Sequence, residues 1–171
     1  YDQYVLECIE VVPATDHTYL NLQVSDNGGS TYEATSYSWT LSLHEGNGGV
    51  EDLESLSATL IPLSSTNTGG SWGMSNTAVA QGDFSITINR PGEAGRYKPI
   101  RVIGGYHLSD QDQAAEVKGW ATWKGGTGAI DGLKLAMSSG NISGIFRLYG
   151  VLKEAIFSGD SAGFYQVVES G

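Results

Sequence analysis

The residues best equipped to recognise something are aromatic. Between Glu116 and Lys124, period-two alternation places Val117, Gly119, Ala121 and Trp123 on one face of a strand. Lys118, Trp120, Thr122 and Lys124 then share the other, polar face. An indole among charged neighbours can stack on the apolar face of a sugar ring or anchor a subunit interface, where Trp is enriched. Shielding by the neighbouring Lys stems is the plainer alternative. Trp72, in the run Gly69-Gly-Ser-Trp-Gly-Met74, falls in a loop, where recognition concentrates. The same ring is equally suited to pinning that loop to the core. Tyr106 and His107 follow Gly104 and Gly105 and make a second loop pair. Trp72, Trp120, Tyr106 and His107 are therefore the candidate contacts to a glycan or a partner.

Catalysis finds little to work with. His17, His44 and His107 are scattered, and none stands at the spacing of a metal-binding pair. Cys8 has no neighbouring His, and no Gly-x-Ser-x-Gly elbow occurs. As the chain's single cysteine in an apolar run, Cys8 reads as a small buried hydrophobe and cannot form an internal disulfide. Asp110, Asp112 and Glu116 offer carboxylate oxygens to calcium, yet the full calcium loop and its turn glycine are missing, which favours a solvated loop. No paired carboxylates of a glycosidase stand close in sequence, although distant strands can bring such pairs together. Asn141-Ile-Ser143 has the form of a glycosylation sequon, and the same residues suit a tight turn. The expectation is a protein that is not an enzyme and has no cofactor and no metal.

The elements that must carry these side chains are strands. Leu20, Leu22 and Val24 alternate with Tyr19, Asn21 and Gln23. Tyr37, Trp39, Leu41 and Leu43 alternate with serines and a threonine, which assigns Tyr37 and Trp39 to the core side. Phe84, Ile86 and Ile88, then Leu133, Leu135 and Met137, then Phe146, Leu148 and Leu152 repeat the pattern. One dry and one wet face is the mark of antiparallel sheets. Between the runs lie turn formers such as Asp26-Asn27-Gly28-Gly29 and Ser138-Ser139-Gly140-Asn141, where Gly and Asn accept positive φ. Only Val50 to Ser57 departs from the pattern, reading as either a short helix or an acidic solvated loop. The expected fold is all-β, an antiparallel two-sheet β-sandwich with jelly-roll-like connectivity and roughly eight to eleven strands. One domain spans residues 1–171, with residues 151–171 adding a further strand or an arm exchanged with a neighbour.

Composition sets the outer bounds. The chain has 171 residues, enough for one sizeable core, with 24 Gly against 4 Pro supplying its turns. A formal net charge of −10 sets it against phosphate backbones and anionic lipid, so neither nucleic acid nor membrane is expected as a partner. No run approaches the roughly 20 apolar residues of a membrane helix. It opens on Tyr1 and not Met, as a processed chain or a piece of a longer one would.

One stretch carries a resemblance. Asp131-Gly-Leu-Lys-Leu-Ala-Met-Ser-Ser-Gly-Asn-Ile-Ser-Gly-Ile-Phe-Arg-Leu-Tyr-Gly150 resembles the closing segment of a group of bacteriophage virion proteins of the tail-fibre and receptor-binding type. Tyr4-Val-Leu-Glu, Val12-Pro-Ala-Thr and Ser25-Asp-Asn-Gly-Gly-Ser-Thr-Tyr32 resemble that group's opening, while Glu45 to Gly82 matches nothing in it. The resemblance implies a structural component of the virion, a tail-fibre or host-receptor-binding protein. Such a protein would form a homo-oligomer, a trimer if a fibre, with other virion proteins as neighbours and bacterial surface polysaccharide as a target. A capsid-decoration or head-fibre protein and a lectin-like carbohydrate-binding module are the alternatives. Phe146 and Leu148 would enter the core, leaving Arg147 and Tyr149 on the opposite face as oligomer-interface candidates. The group's chains close soon after Tyr-Gly-Leu, whereas this one continues past Val151, adding Phe157, Phe164 and Tyr165 to those candidates.

Overall fold

A computed structural model describes residues 1–67, 72–109 and 113–152. Ten strands form among them and no helix. In chain order they are β1 (Gln3–Pro13), β2 (Leu20–Ser25), β3 (Tyr37–Glu45), β4 (Val50–Ala58) and β5 (Ile61–Pro62). Then come β6 (Gly82–Asn89), β7 (Pro99–His107), β8 (Ala114–Trp123), β9 (Gly132–Met137) and β10 (Ile142–Val151). They build a seven-stranded sheet of order β10-β1-β6-β7-β8-β3-β4 and a three-stranded sheet of order β5-β2-β9, antiparallel throughout. The protein is thus the all-β two-sheet sandwich that the alternation called for, with an unequal division of strands.

The alternating apolar side chains meet between the sheets. Leu41, Leu43, Ile86, Ile88, Ile100 and Val102 from the large sheet pack with Leu20, Leu22 and Val24 from the small one, all essentially out of water. Each such side chain contributes about 1.5–3 kcal/mol by leaving solvent. Cys8 lies in this core as a free thiol. Burial, with Glu7 adding to it, pushes its pKa up to about 12. Within the large sheet, β8 places Gly119 directly opposite Leu41 of β3, where a Cβ would stand 2.8 Å from the Thr40 carbonyl oxygen and collide with the Leu41 side chain.

Buried polar groups tie the loops to this frame. Tyr37 donates to the Glu33 carbonyl (3.0 Å) and accepts from the Val24 N–H (2.9 Å). Tyr106 donates to the Trp72 carbonyl (2.9 Å) and accepts from the Ser65 N–H (3.1 Å). Lys98, only 2% exposed, sits beneath the surface loops. Its Nζ donates to the carbonyl oxygens of Arg96 (2.6 Å), Gly128 (2.7 Å) and Thr127 (3.2 Å).

Three features differ from the sequence expectation. Val50 to Ser57 is neither helix nor loop but most of β4, paired with β3 at the sheet's edge. Its inward positions, Glu51, Leu53 and Ser55, are only half-buried, so the period-two signal was carried by a single apolar residue. Phe146 and Leu148 do point to the inner face, opposite Cys8 and Leu6 of β1, yet they are 41% and 56% exposed. Sheet geometry explains this: with strands about 4.8 Å apart, three cannot roof seven, and β10 lies beyond the narrow sheet. Leu152, also expected inside, is exposed. The expectation of an extra strand or exchanged arm covers residues 151–171; Val151 ends β10 and Leu152 follows it, while residues from 153 onward lie outside the described residues, Phe157, Phe164 and Tyr165 among them.

Candidate functional site

β10 is unusual for an edge strand because both of its faces are apolar. Phe146 and Leu148 face inward, while Ile145, Tyr149 and Val151 face outward beside Ile9, Val5 and Gln3 of β1. All five are more than a third exposed. A strand apolar on both sides normally lies inside a protein, and edge strands ordinarily carry charge or proline to discourage pairing. Here Arg147, opposite Glu7, is the strand's single charged side chain. Among the described residues no strand pairs with the outer edge of β10.

A β-bulge fixes how β10 meets its neighbour. Both ladders of β1 shift register between Cys8 and Val12, and Glu10 takes φ = 55° there. Its N–H donates to an Asp83 carboxylate oxygen at 2.8 Å, which holds an otherwise disfavoured conformation for a non-glycine residue.

Inside the open edge runs a groove of about 680 Å³. Tyr4 and Leu6 of β1, Phe146 and Leu148 of β10, and Leu133 and Leu135 of β9 form its apolar walls. It occupies the gap left where the small sheet ends short of the large one.

Trp120 stands on the outer face of the large sheet, as the alternation required, with about half of its surface in water. It pairs across the strands with Arg101 of β7 and Thr40 of β3. The lysines flanking it in sequence are engaged elsewhere. Lys118 Nζ is 2.8 Å from Glu116 Oε1, and Lys124 Nζ donates to the Leu56 carbonyl at 2.7 Å. Exposed Ile103 sits opposite Lys118 on the same face. Four strand spacings separate β8 from β10, about 19 Å, so Trp120, Arg147 and Tyr149 share one broad platform.

The other aromatic candidates occupy different ground. Tyr106 is 2% exposed and belongs to the core, stacked near Phe84, so its ring offers a ligand no surface; this corrects the loop assignment. Trp72 is half-buried against the core, its carbonyl held by Tyr106. His107 ends β7 opposite Ala114, and its carbonyl accepts from the Ser75 N–H. None of these three lies beside Trp120.

A pairing that sequence spacing could not reveal joins His17 to Ser109, ninety-two positions apart, at 2.8 Å between Nδ1 and Oγ. Asp16 Oδ2 lies 3.7 Å from His17 Nε2, longer than a hydrogen bond, and its other oxygen accepts from the Asn76 N–H. These contacts bind three loops at one end of the sandwich. Asp110 and Asp112, weighed for calcium, lie outside the described residues. Among the described residues no group of three or more His, Cys, Asp or Glu could hold a metal ion.

Compared with known protein families, curated proteins and solved structures, the chain matches none.

Proposed function

We propose that this chain is a structural component of a bacteriophage particle, of the tail-fibre or host-receptor-binding type, that works as a homo-oligomer, a trimer. The observation that carries the reading is β10, an edge strand with an unpaired outer edge among the described residues and an apolar outer face of Ile145, Tyr149 and Val151. Strand edges of this kind add strands from other chains, and burial of their apolar faces then stabilises the contact. The resemblance of Ser139-Gly140-Asn141 and Phe146-Arg-Leu-Tyr-Gly150 to virion proteins supplies the particle, and other virion proteins are the further partners. Acidity accords with a surface role and not with a grip on packaged DNA.

Light scattering across a hundredfold range of concentration tests this reading. A trimer mass that persists on dilution, and drops in Tyr149→Asp with β-sheet circular dichroism retained, is the expected result. A stable monomer at every concentration would overturn the oligomer.

A second reading, a lectin-like module that binds bacterial surface polysaccharide, is favoured by Trp120. A half-exposed indole between Arg101 and Thr40 combines a stacking surface with hydrogen-bonding groups. Trp120→Ala should then abolish retention on host polysaccharide while leaving the solution mass unchanged. Equal retention of variant and parent would remove Trp120 from the site.

A further inference from the structure

We infer that the groove between β9 and the β1–β10 edge is the docking site of the chain's own C-terminal segment, residues 153–171, which closes it within the same molecule. The inference is independent of the particle reading.

The groove is a continuation of the core that lacks a roof. Leu6 on its floor is 7% exposed, while Leu148, paired directly beside it on β10, is 56% exposed. The difference arises because the three-stranded sheet covers β1 and stops. Its volume lies within the range of roughly 300–1,000 Å³ typical of sites that enclose a ligand. A contiguous apolar surface of this kind, rimmed by polar residues such as Asp131, marks a place where something binds.

Where the chain goes next identifies the occupant. β10 ends at Val151, opposite Gln3, and Tyr1 and Tyr4 line the groove from that same end of the sheet. Leu152, to which that segment is joined, therefore lies at the groove's own end of the sheet. At roughly 3.3 Å per extended residue, about six residues match the length of β9, and nineteen remain in the chain. Those nineteen contain Ile156, Phe157, Phe164, Tyr165, Val167 and Val168, with the glycine-rich run Ser158-Gly-Asp-Ser-Ala-Gly163 between the two apolar groups. A segment tethered this closely meets the groove at an effective concentration on the order of millimolar, ahead of any free partner.

Disulfide trapping in the full chain is the direct test. Leu135→Cys is combined in turn with Phe157→Cys, Phe164→Cys and Tyr165→Cys; Cys8, wholly buried, stays out of the exchange. At least one pair should oxidise readily to a product that runs as a single chain on a non-reducing gel. A covalent dimer from the same pairs would show exchange between copies and overturn closure within the molecule. Failure of all three pairs to form a bond would overturn docking altogether. A second measurement does not rely on a cysteine in the groove: full-length Phe157→Ser/Phe164→Ser/Tyr165→Ser should bind an apolar fluorescent dye several-fold more strongly than the parent. Equal dye binding by the two would count equally against the proposal. Neither measurement depends on the solution mass, so it fails or succeeds separately from the oligomer.

Discussion

Replacing Lys98 by Met should destabilise the protein by about 2–4 kcal/mol, although among the described residues no carboxylate forms an ion pair with the lysine's ammonium. The ammonium is held by three carbonyl oxygens, of Arg96, Gly128 and Thr127. Thr127 also receives the Gly95 N–H at 2.9 Å and keeps that partner in the variant. Two carbonyls are therefore left to find new donors, at about 1–3 kcal/mol each for a buried group. The variant is spared the cost of desolvating the ammonium, and the surrounding loops are exposed enough for water to reach the oxygens, so the lower half of the range applies. Urea unfolding followed by tryptophan fluorescence would measure the change, with the slope of the transition held constant as the check that only stability moved. Lys124→Met is the comparison. Its ammonium donates to one carbonyl, Leu56, at an exposed position, and its loss should cost under about 0.5 kcal/mol. Equal midpoints for the two variants would refute the view that the carbonyl cradle of Lys98 holds the loops together.

Two further outcomes follow from the buried polar groups. Tyr106→Phe should cost about 1–3 kcal/mol by orphaning the Ser65 N–H and the Trp72 carbonyl; limited proteolysis between Ser65 and Trp72 should quicken in parallel, and unchanged cleavage would count against the tie. Cys8 has a folded pKa raised from 9.0 to about 12, so its contribution to stability is fully present below about pH 9 and is lost as pH rises through the folded value. Urea midpoints at pH 7.5 and pH 10.5 should therefore fall less for Cys8→Ala than for the parent. Tyr37, raised from 10.0 to about 12 chiefly by burial, adds a fall of the same sign that both proteins retain.

The large-sheet core was legible because its strands obey one rule at high contrast. Phe84, Ile86 and Ile88 alternate with polar residues, and all three are buried. β4 carries little strand signal because an edge strand half-covered on one side needs only Leu53 to be apolar, and its acidic residues imitate a helix start. Trp120 was placed on the correct face by alternation alone, since the period of two is a local property of the backbone. Tyr106 reads as a loop residue because two preceding glycines resemble a turn. In fact Gly104 sits mid-strand where a Cβ would strike Phe84 and the Asp83 carbonyl, and the strand runs on through Tyr106 to His107. The exposure of Phe146 and Leu148 depends on how many strands the second sheet contains, a global quantity that no local pattern encodes. The His17–Ser109 contact is likewise a product of topology, joining loops that sequence sets far apart.

The pairing of Gln3 with Val151 has a mechanical consequence. β1 and β10 are antiparallel, so the beginning of one and the end of the other are neighbours at one end of the sandwich. A force that pulls Tyr1 and Leu152 apart therefore meets their ladder bond by bond, as in opening a zip, and never loads all of its hydrogen bonds together. The first rupture lies between Asp2 and Val151, where the Asp2 N–H donates to the Val151 carbonyl at 3.0 Å. Traction between Tyr1 and the far loop at Gly140 would instead shear β1 against both neighbours at once. The same molecule is thus soft when pulled at Tyr1 and Leu152 and stiff when pulled along its length.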